Sequence, residues 1–224
     1  PGTEIIMTNT VSNAAGNPSL PAHSDRIRVD LQLIADMVEP GTRVLDIGCS
    51  DGELLGYLTR TKNVDGRGLE LSNEGVRNCV AQGLPVMQGD ADRDLGDYPD
   101  GAFDYAILSQ TLQATHRPKE VLSELLRIGN KAIVSFPNFG HWRARFDLMF
   151  RGRMPQNPNL PIMWYETPNI HFCTVRDFVA LCNEMNLKIE RSMVLNESGS
   201  RVSMDSHSGF ANFFGNQALF MLSK

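Results

Sequence analysis

"VLDIGCSDGELL", residues 44–55, decides how the chain reads. An apolar run closes on Asp46 and Ile47, Gly48 and Gly52 then bracket Cys49, Ser50 and Asp51, and leucines at helical spacing follow. That order is a strand handing the chain through a tight turn to a helix, whose first N–H groups are free to meet a polar ligand. The glycines stand where the backbone bends sharply and approaches such a ligand closely. Ser50 occupies a middle position at which such turns often carry a third glycine.

Working outward, Ile27, Leu31, Ile34 and Val38 fall at helical spacing, with Ser24 able to cap the helix and Pro40-Gly41 able to stop it. Downstream, β and α patterns alternate. Strand "RVLDI" (43–47) leads to a helix from Gly52 to about Lys62, strand "GRGLEL" (66–71) to a helix from Asn73 to about Gln82, and strand "PVMQG" (85–89) follows. Strand "FDYAILS" (103–109) precedes a helix over 117–130 with Pro118 in its first turn and Gly129-Asn130 at its end, then strand "KAIVSF" (131–136). Such alternation predicts right-handed crossovers and a mainly parallel sheet with helices on both faces.

The last third reads differently. Residues 137–173 carry several prolines and aromatics, which suits an irregular insertion with one helix near 140–150. Thr174 and Asp177 predict a capped helix with Phe178, Leu181, Cys182 and Met185 on one face. "LKIERSMVL" (187–195) and "NQALFML" (216–222) are two final strands, and the Ser/Gly/Asp-rich link between them reads as a loop. Residues 1–23, rich in Asn, Ser, Thr, Pro and Gly, are expected to form a flexible arm, with Met7 a candidate natural start, and residues 24–224 a single domain.

Composition narrows the function classes. A net charge of −5 disfavours a broad grip on nucleic acid, which needs a positive field to displace counterions. No apolar run approaches the roughly 20 residues of a membrane-spanning helix, and no secretory signal opens the chain, so a soluble cytoplasmic protein without a membrane role is expected. Cys49, Cys79, Cys173 and Cys182 lack CxxC spacing and read as reduced thiols, neither disulfides nor metal ligands.

Polar groups at successive strand ends suggest the ligand. Glu70, 22 residues beyond Gly48, closes the second strand where an acid can accept hydrogen bonds from both hydroxyls of a ribose. Asp90 ends the third strand, placed to accept a proton from an amine such as adenine N6, and Ser109, Gln110 and Gln113 reach the same edge from the fourth. Asp46 suits a ligand with an ammonium group and repels a pyrophosphate, which favours S-adenosylmethionine or S-adenosylhomocysteine over NAD. Taken singly, Asp46 reads equally well as a brace for the turn, and Asp90 as a cap for the next segment. The candidate cofactor set is Asp46, Gly48, Cys49, Ser50, Asp51, Gly52, Glu70, Leu71, Asp90, Ala91, Ser109 and Gln110. A side chain at Ser50 is expected to weaken cofactor binding relative to glycine.

"VLDIGCSDGELL", "GLEL", "QGDAD" and "FDYAILSQTLQ" resemble the successive motifs of class I S-adenosylmethionine-dependent methyltransferases. "RVDLQLIADMV", "LSQTLQAT", "IVSFPNFGHWRAR", "GRMP" and "WYETPNIHFCTVRDF" are more narrowly similar to the MetW family of methionine biosynthesis proteins, with the likeness running from about residue 26 to 195. The class implies a Rossmann-like α/β fold with a seven-stranded sheet whose last strand is antiparallel. The family implies association with a homoserine O-acyltransferase as a supporting subunit.

Methyl transfer chiefly needs an acceptor aligned with a reactive sulfonium, sometimes with a general base. His116, His141 and His171, with Tyr165, are the base candidates, and packing or structural hydrogen bonding is the commoner role for each. No nucleophile–base–acid set emerges. In "GHWRARFDLMFRGRMP", Trp142, Phe146, Met149 and Phe150 share a helical face among Arg143, Arg145, Arg151 and Arg153. A core face is the ordinary reading, and a partner surface is the functional one. An accessory S-adenosylmethionine-binding protein and a small-molecule methyltransferase with its acceptor site in the insertion both stay open, ahead of an NAD-dependent oxidoreductase.

Overall fold

The structure, a computed structural model, describes residues 27–156, 162–196, 199–202 and 209–224. The expected N-terminal arm and the Ser24 cap lie outside the described residues. Five strands, β1 (Arg43–Ile47), β2 (Asp65–Glu70), β3 (Val86–Gln88), β4 (Phe103–Ser109) and β5 (Gly129–Pro137), run parallel in the order 3-2-1-4-5. Beyond them come β8 (Gln217–Ser223), antiparallel to both of its neighbours, β6 (Lys188–Leu195), and the two-residue β7 (Arg201–Val202) at the edge. The expected seven strands are present, and among the described residues β7 adds a short eighth.

Side-chain alternation along the central strands builds two cores at once. In β4, Tyr105 and Ile107 face one side while Ala106 and Leu108 face the other, and all four are buried. The first side packs beneath α1 (Val29–Met37) and α2 (Glu53–Lys62), through Leu31, Ile34, Leu54 and Leu58. The second packs beneath α4 (Pro118–Ile128) and α6 (Val175–Glu184), where Phe136, Phe178 and Phe220 stand with ring centroids 4.7 to 6.0 Å apart. The remaining crossover helix, α3 (Asn73–Ala81), is capped by the Ser72 hydroxyl, which accepts the Gly75 N–H at 3.1 Å.

Element ends show which local signals were obeyed. Thr174 Oγ1 accepts the Asp177 N–H at 3.2 Å and Asp177 Oδ2 accepts the Thr174 N–H at 2.9 Å, the reciprocal cap the sequence predicts. Pro118 opens α4 as expected. Gly129 does not close that helix in a left-handed turn; at φ −109° it begins β5, where a Cβ would sit 2.8 Å from the Ala106 nitrogen. Its role is close strand packing. The upstream helix starts only at Val29, because Arg28 is held extended at φ −54°, ψ 146°.

Two expectations need correction. The link before the last strand is not a plain loop, for it contains β7 and α7 (Gly209–Phe214). These six helical residues are too few to show a period, and they are held from outside: Asn138 Nδ2 donates to the carbonyls of Asn212 at 2.9 Å and Gly215 at 2.7 Å. In the insertion, α5 (Trp142–Phe146) continues into a π-helical turn over Asp147–Arg151, and its apolar face is not core. Phe146, Met149 and Phe150 are 48 %, 73 % and 69 % exposed, because no described element covers that face. The aromatic rings pack on one another instead, with Phe146 5.8 Å from Trp142 and 5.1 Å from Phe150.

Candidate functional site

The turn after β1 is built from left-handed backbone. Gly48 has φ 70°, and a Cβ there would lie 2.5 Å from Thr111 Oγ1; Gly52 has φ 81°, and a Cβ there would meet Leu84 at 2.5 Å. Both glycines are required by conformation and by space. Ser50 also sits at φ 53°, a region disfavoured for a residue with a side chain. Its N–H is held by Glu70, whose Oε2 accepts it at 2.9 Å while Oε1 accepts the Ser72 N–H at 2.8 Å. The carboxylate thus ties the turn to the entry of α3, and each oxygen keeps a lone pair for a further donor.

Behind the turn, Cys49 and Cys79 are buried free thiols with sulfurs 3.9 Å apart. Burial, followed by the negative field of Asp46, pushes the Cys49 thiol up, so it stays protonated. Its place here is that of a small apolar side chain.

Two adjoining cavities open at the carboxyl edge of the parallel strands, about 340 and 320 Å³ in volume, and share Gly48, Gln110 and Thr111. Asp46, Cys49, Ser50, Asp51 and Ser109 line the first. Glu70, Leu71, Asp90 and Ala91 line the second. Gly52 lines neither and serves as the N-cap of α2. Eleven of the twelve sequence candidates therefore converge on one continuous cleft.

Asp46 carries the distinctive electrostatics. It is 2 % exposed, borders the first cavity, and accepts no hydrogen bond from any described residue. Burial, with the nearby charge of Glu70, pushes its carboxyl up to about 7. A buried carboxylate without a partner is costly, and a cation delivered into the cavity relieves that cost.

The other strand-end groups divide their capacity. Asp90 Oδ1 accepts the Asp92 N–H at 2.9 Å, so the acid does cap its own loop while still bordering the cleft. Ser109 Oγ lies 3.1 Å from Ser135 Oγ. Gln110, at φ 55°, sends Nε2 to Asp30 Oδ2 at 2.8 Å. Gln113 corrects its assignment to the cleft edge: it is buried, and its Nε2 donates to the Pro137 carbonyl at 3.0 Å. Its backbone carbonyl accepts the N–H groups of Ile170 and His171 at 2.8 and 3.0 Å, which pins the insertion to the sheet.

Sequence reasoning missed Arg28 and Asp30. Asp30 is buried in the first turn of α1 and accepts from Arg28, Gln110 and Gln217. The available signal was an acid spaced with Leu33, Ile34 and Met37 on an otherwise buried helix face.

The base candidates disperse. His141 is buried and caps α5, its Nδ1 accepting the Arg143 N–H at 3.4 Å. His171 and Tyr165 are exposed and line neither cavity, and His116 borders the second cavity with Nδ1 3.2 Å from Asp92 Oδ2. A third cavity of about 310 Å³ lies under the insertion, walled by Phe139, Met154, Met163, Trp164 and Phe172. It shares Gln110 with the first and Gln110, Pro168 and Asn169 with the second, and no acid or base stands among the described residues lining it. Among the described residues there is also no cluster suited to a metal ion and no helix long and apolar enough to cross a membrane.

The strand order and the strand-end cleft define a Rossmann-like protein of the class I methyltransferase fold. Solved structures agree: an S-adenosylmethionine-dependent methyltransferase from Mesorhizobium loti superposes with TM-score 0.63 at 14 % identity, covering 88 % of this chain and 98 % of that one. One from Thermotoga maritima, a possible histamine N-methyltransferase, gives 0.61 at 18 %, covering 88 % and 87 %. The cyclase SpnF gives 0.60 at 17 %, covering 87 % and 80 %, so this architecture also carries other chemistry. More narrowly, the chain belongs to the family of methionine biosynthesis protein MetW, whose model matches residues 28–222. The bifunctional methionine biosynthesis protein MetXA/MetW of Rhodopirellula baltica is 32 % identical over 211 residues, which are 90 % of this chain and 34 % of that protein. The chain spans about a third of the length of the curated relatives it matches.

Proposed function

We propose that this chain is an S-adenosylmethionine-binding protein of methionine biosynthesis that associates with and supports a homoserine O-acyltransferase. The observation that carries the cofactor reading is Asp46, a buried carboxylate on the wall of the cleft with no hydrogen-bond partner among the described residues. In this reading Asp46 takes the ligand ammonium, Glu70 the ribose hydroxyls and Asp90 the adenine amine, with Leu71 and Ala91 beside the base. When bound, S-adenosylmethionine supplies an electrophilic methyl group, and S-adenosylhomocysteine offers the same amino-acid and adenosine ends without it. The domain is read as residues 24–224 with an insertion at 137–173, and its free thiols suit a reducing compartment such as the cytoplasm.

Two observations support the partner. A relative joins MetXA and MetW parts in one chain. The exposed face of Phe146, Met149 and Phe150, flanked by Arg151 and Arg153, has the aromatic, Met and Arg character of an interface. Co-purification with the acyltransferase, and acyltransferase rates with and without this protein, test it. A complex and a raised rate are expected; no complex and an unchanged rate would sink the proposal.

A second reading, a small-molecule methyltransferase, is favoured by the third cavity, which joins the cofactor cleft at Gln110. Incubation with methyl-labelled cofactor and a cell extract then yields a labelled small molecule. Persistent absence of label counts against it.

A further inference from the structure

Among the described residues, the cavity bordered by Asp46 is lined by three carboxylates, those of Asp46, Asp51 and Glu53, and by one cation, Arg28. A ligand with an amino-acid end presents an ammonium and a carboxylate together, and the acids serve only the first. Arg28 is the group on this wall with the charge to serve the second. Its Nε donates to Asp30 Oδ1 at 3.2 Å and its Nη2 to Asp30 Oδ2 at 2.8 Å, a two-pronged contact along one edge of the guanidinium. A guanidinium has five N–H groups in a fixed fork, so Nη1 and the second hydrogen of Nη2 keep their donors, with no partner among the described residues.

The brace behind this arginine is itself fixed. Asp30 is 8 % exposed and also accepts from Gln110 Nε2 at 2.8 Å and Gln217 Nε2 at 3.2 Å, which joins α1 to the ends of β4 and β8. An ordinary surface ion pair has no such support, and contributes little. Here one partner is buried and tied to two strands, while the other reaches the cleft with part of its fork free.

We propose that Arg28 forms a carboxylate subsite, pairing with the α-carboxylate of the bound cofactor while Asp46 takes its ammonium, and that Asp30 is the positioning residue that aims the guanidinium. This rests on the cofactor reading above. It assigns the chain a preference for ligands that keep the whole amino-acid end.

Calorimetric titration with S-adenosylmethionine and with decarboxylated S-adenosylmethionine tests it, because the second keeps the ammonium and lacks the carboxylate. The wild-type chain is expected to bind the first about ten- to a hundred-fold more tightly, as a charge-assisted pair implies. Arg28→Gln erases that preference by weakening S-adenosylmethionine alone, and Arg28→Lys restores part of it. Asp30→Asn narrows the ratio of the two affinities, and adding Arg28→Gln to it narrows that ratio less than Arg28→Gln does in the wild-type chain, a result that general loosening of the fold does not give. Equal wild-type binding of the two compounds, or an Arg28→Gln variant that weakens both equally, overturns the subsite while the cofactor reading stands. A wild-type chain that binds neither overturns both.

Discussion

The cleft at the strand ends and the insertion beside it meet at Gln110, yet they are held by different means. In the cleft the sheet sets each position: β1 delivers Asp46, β2 delivers Glu70, and Glu70 fixes the turn through the N–H groups of Ser50 and Ser72. The insertion is tied down near its two ends, where the Gln113 carbonyl accepts from Ile170 and His171 and Asn138 donates to the Asn212 and Gly215 carbonyls, while several of its large apolar side chains face outward. The first region is a polar cleft and the second presents an exposed apolar surface. The reading proposed above gives them separate tasks, cofactor binding to the first and partner or acceptor contact to the second.

Substitutions can separate the two. Asp46→Asn has the largest expected effect, weakening S-adenosylhomocysteine binding about a hundred-fold by calorimetry, as loss of one member of a buried charge pair implies. The same change stabilises the protein without ligand. The Asp46 carboxyl stands at about 7 in the folded chain, above its ordinary value of 3.8. Its stabilising contribution is therefore full below the ordinary value and is lost as pH rises through about 7. Thermal melts at about pH 8 should show Asp46→Asn melting higher than wild type, and a lower Tm would contradict this account of the burial cost.

Phe146→Ser combined with Phe150→Ser comes next. It is expected to weaken the acyltransferase complex by about ten-fold or more in a pull-down or titration, as loss of aromatic anchors does, and to leave cofactor affinity and Tm unchanged. A drop in cofactor affinity would break the proposed division of tasks. Thr174→Ala removes the reciprocal cap where the insertion rejoins the domain, at about 1 kcal/mol, which lowers Tm by roughly 2–4 °C for a chain of this size. Ser50→Gly is the mildest: it frees a left-handed position and should tighten cofactor binding by only about two- to five-fold. Unchanged affinity in that variant would show that the serine side chain costs the cleft nothing.

The same contrast explains what the sequence disclosed. Strand ends are legible because apolar runs terminate at known residues, and parallel strands bring those ends to one edge; Asp46, Glu70, Asp90 and Ser109 were found this way. The Thr174–Asp177 cap was legible because both partners lie within one turn. Arg28 and Asp30 were not, since their roles depend on Gln110 and Gln217, 80 and 187 residues from Asp30. Gln113 read as an edge group although the turn over Leu112–Ala114 carries it into the interior. The exposed aromatics of α5 and its π-helical turn read first as a core face for a related reason: a periodic apolar face says that something covers it, and leaves open whether that cover belongs to the same chain.

Calorimetric titration of the wild-type chain with S-adenosylhomocysteine at two pH values tests the central claim most directly. With Asp46 at about 7 before binding and ionised against the ligand ammonium afterwards, affinity should fall about ten-fold between about pH 8 and pH 6. Absence of binding, or binding that is indifferent to pH across that interval, would contradict the assignment of Asp46 as the partner of the cofactor.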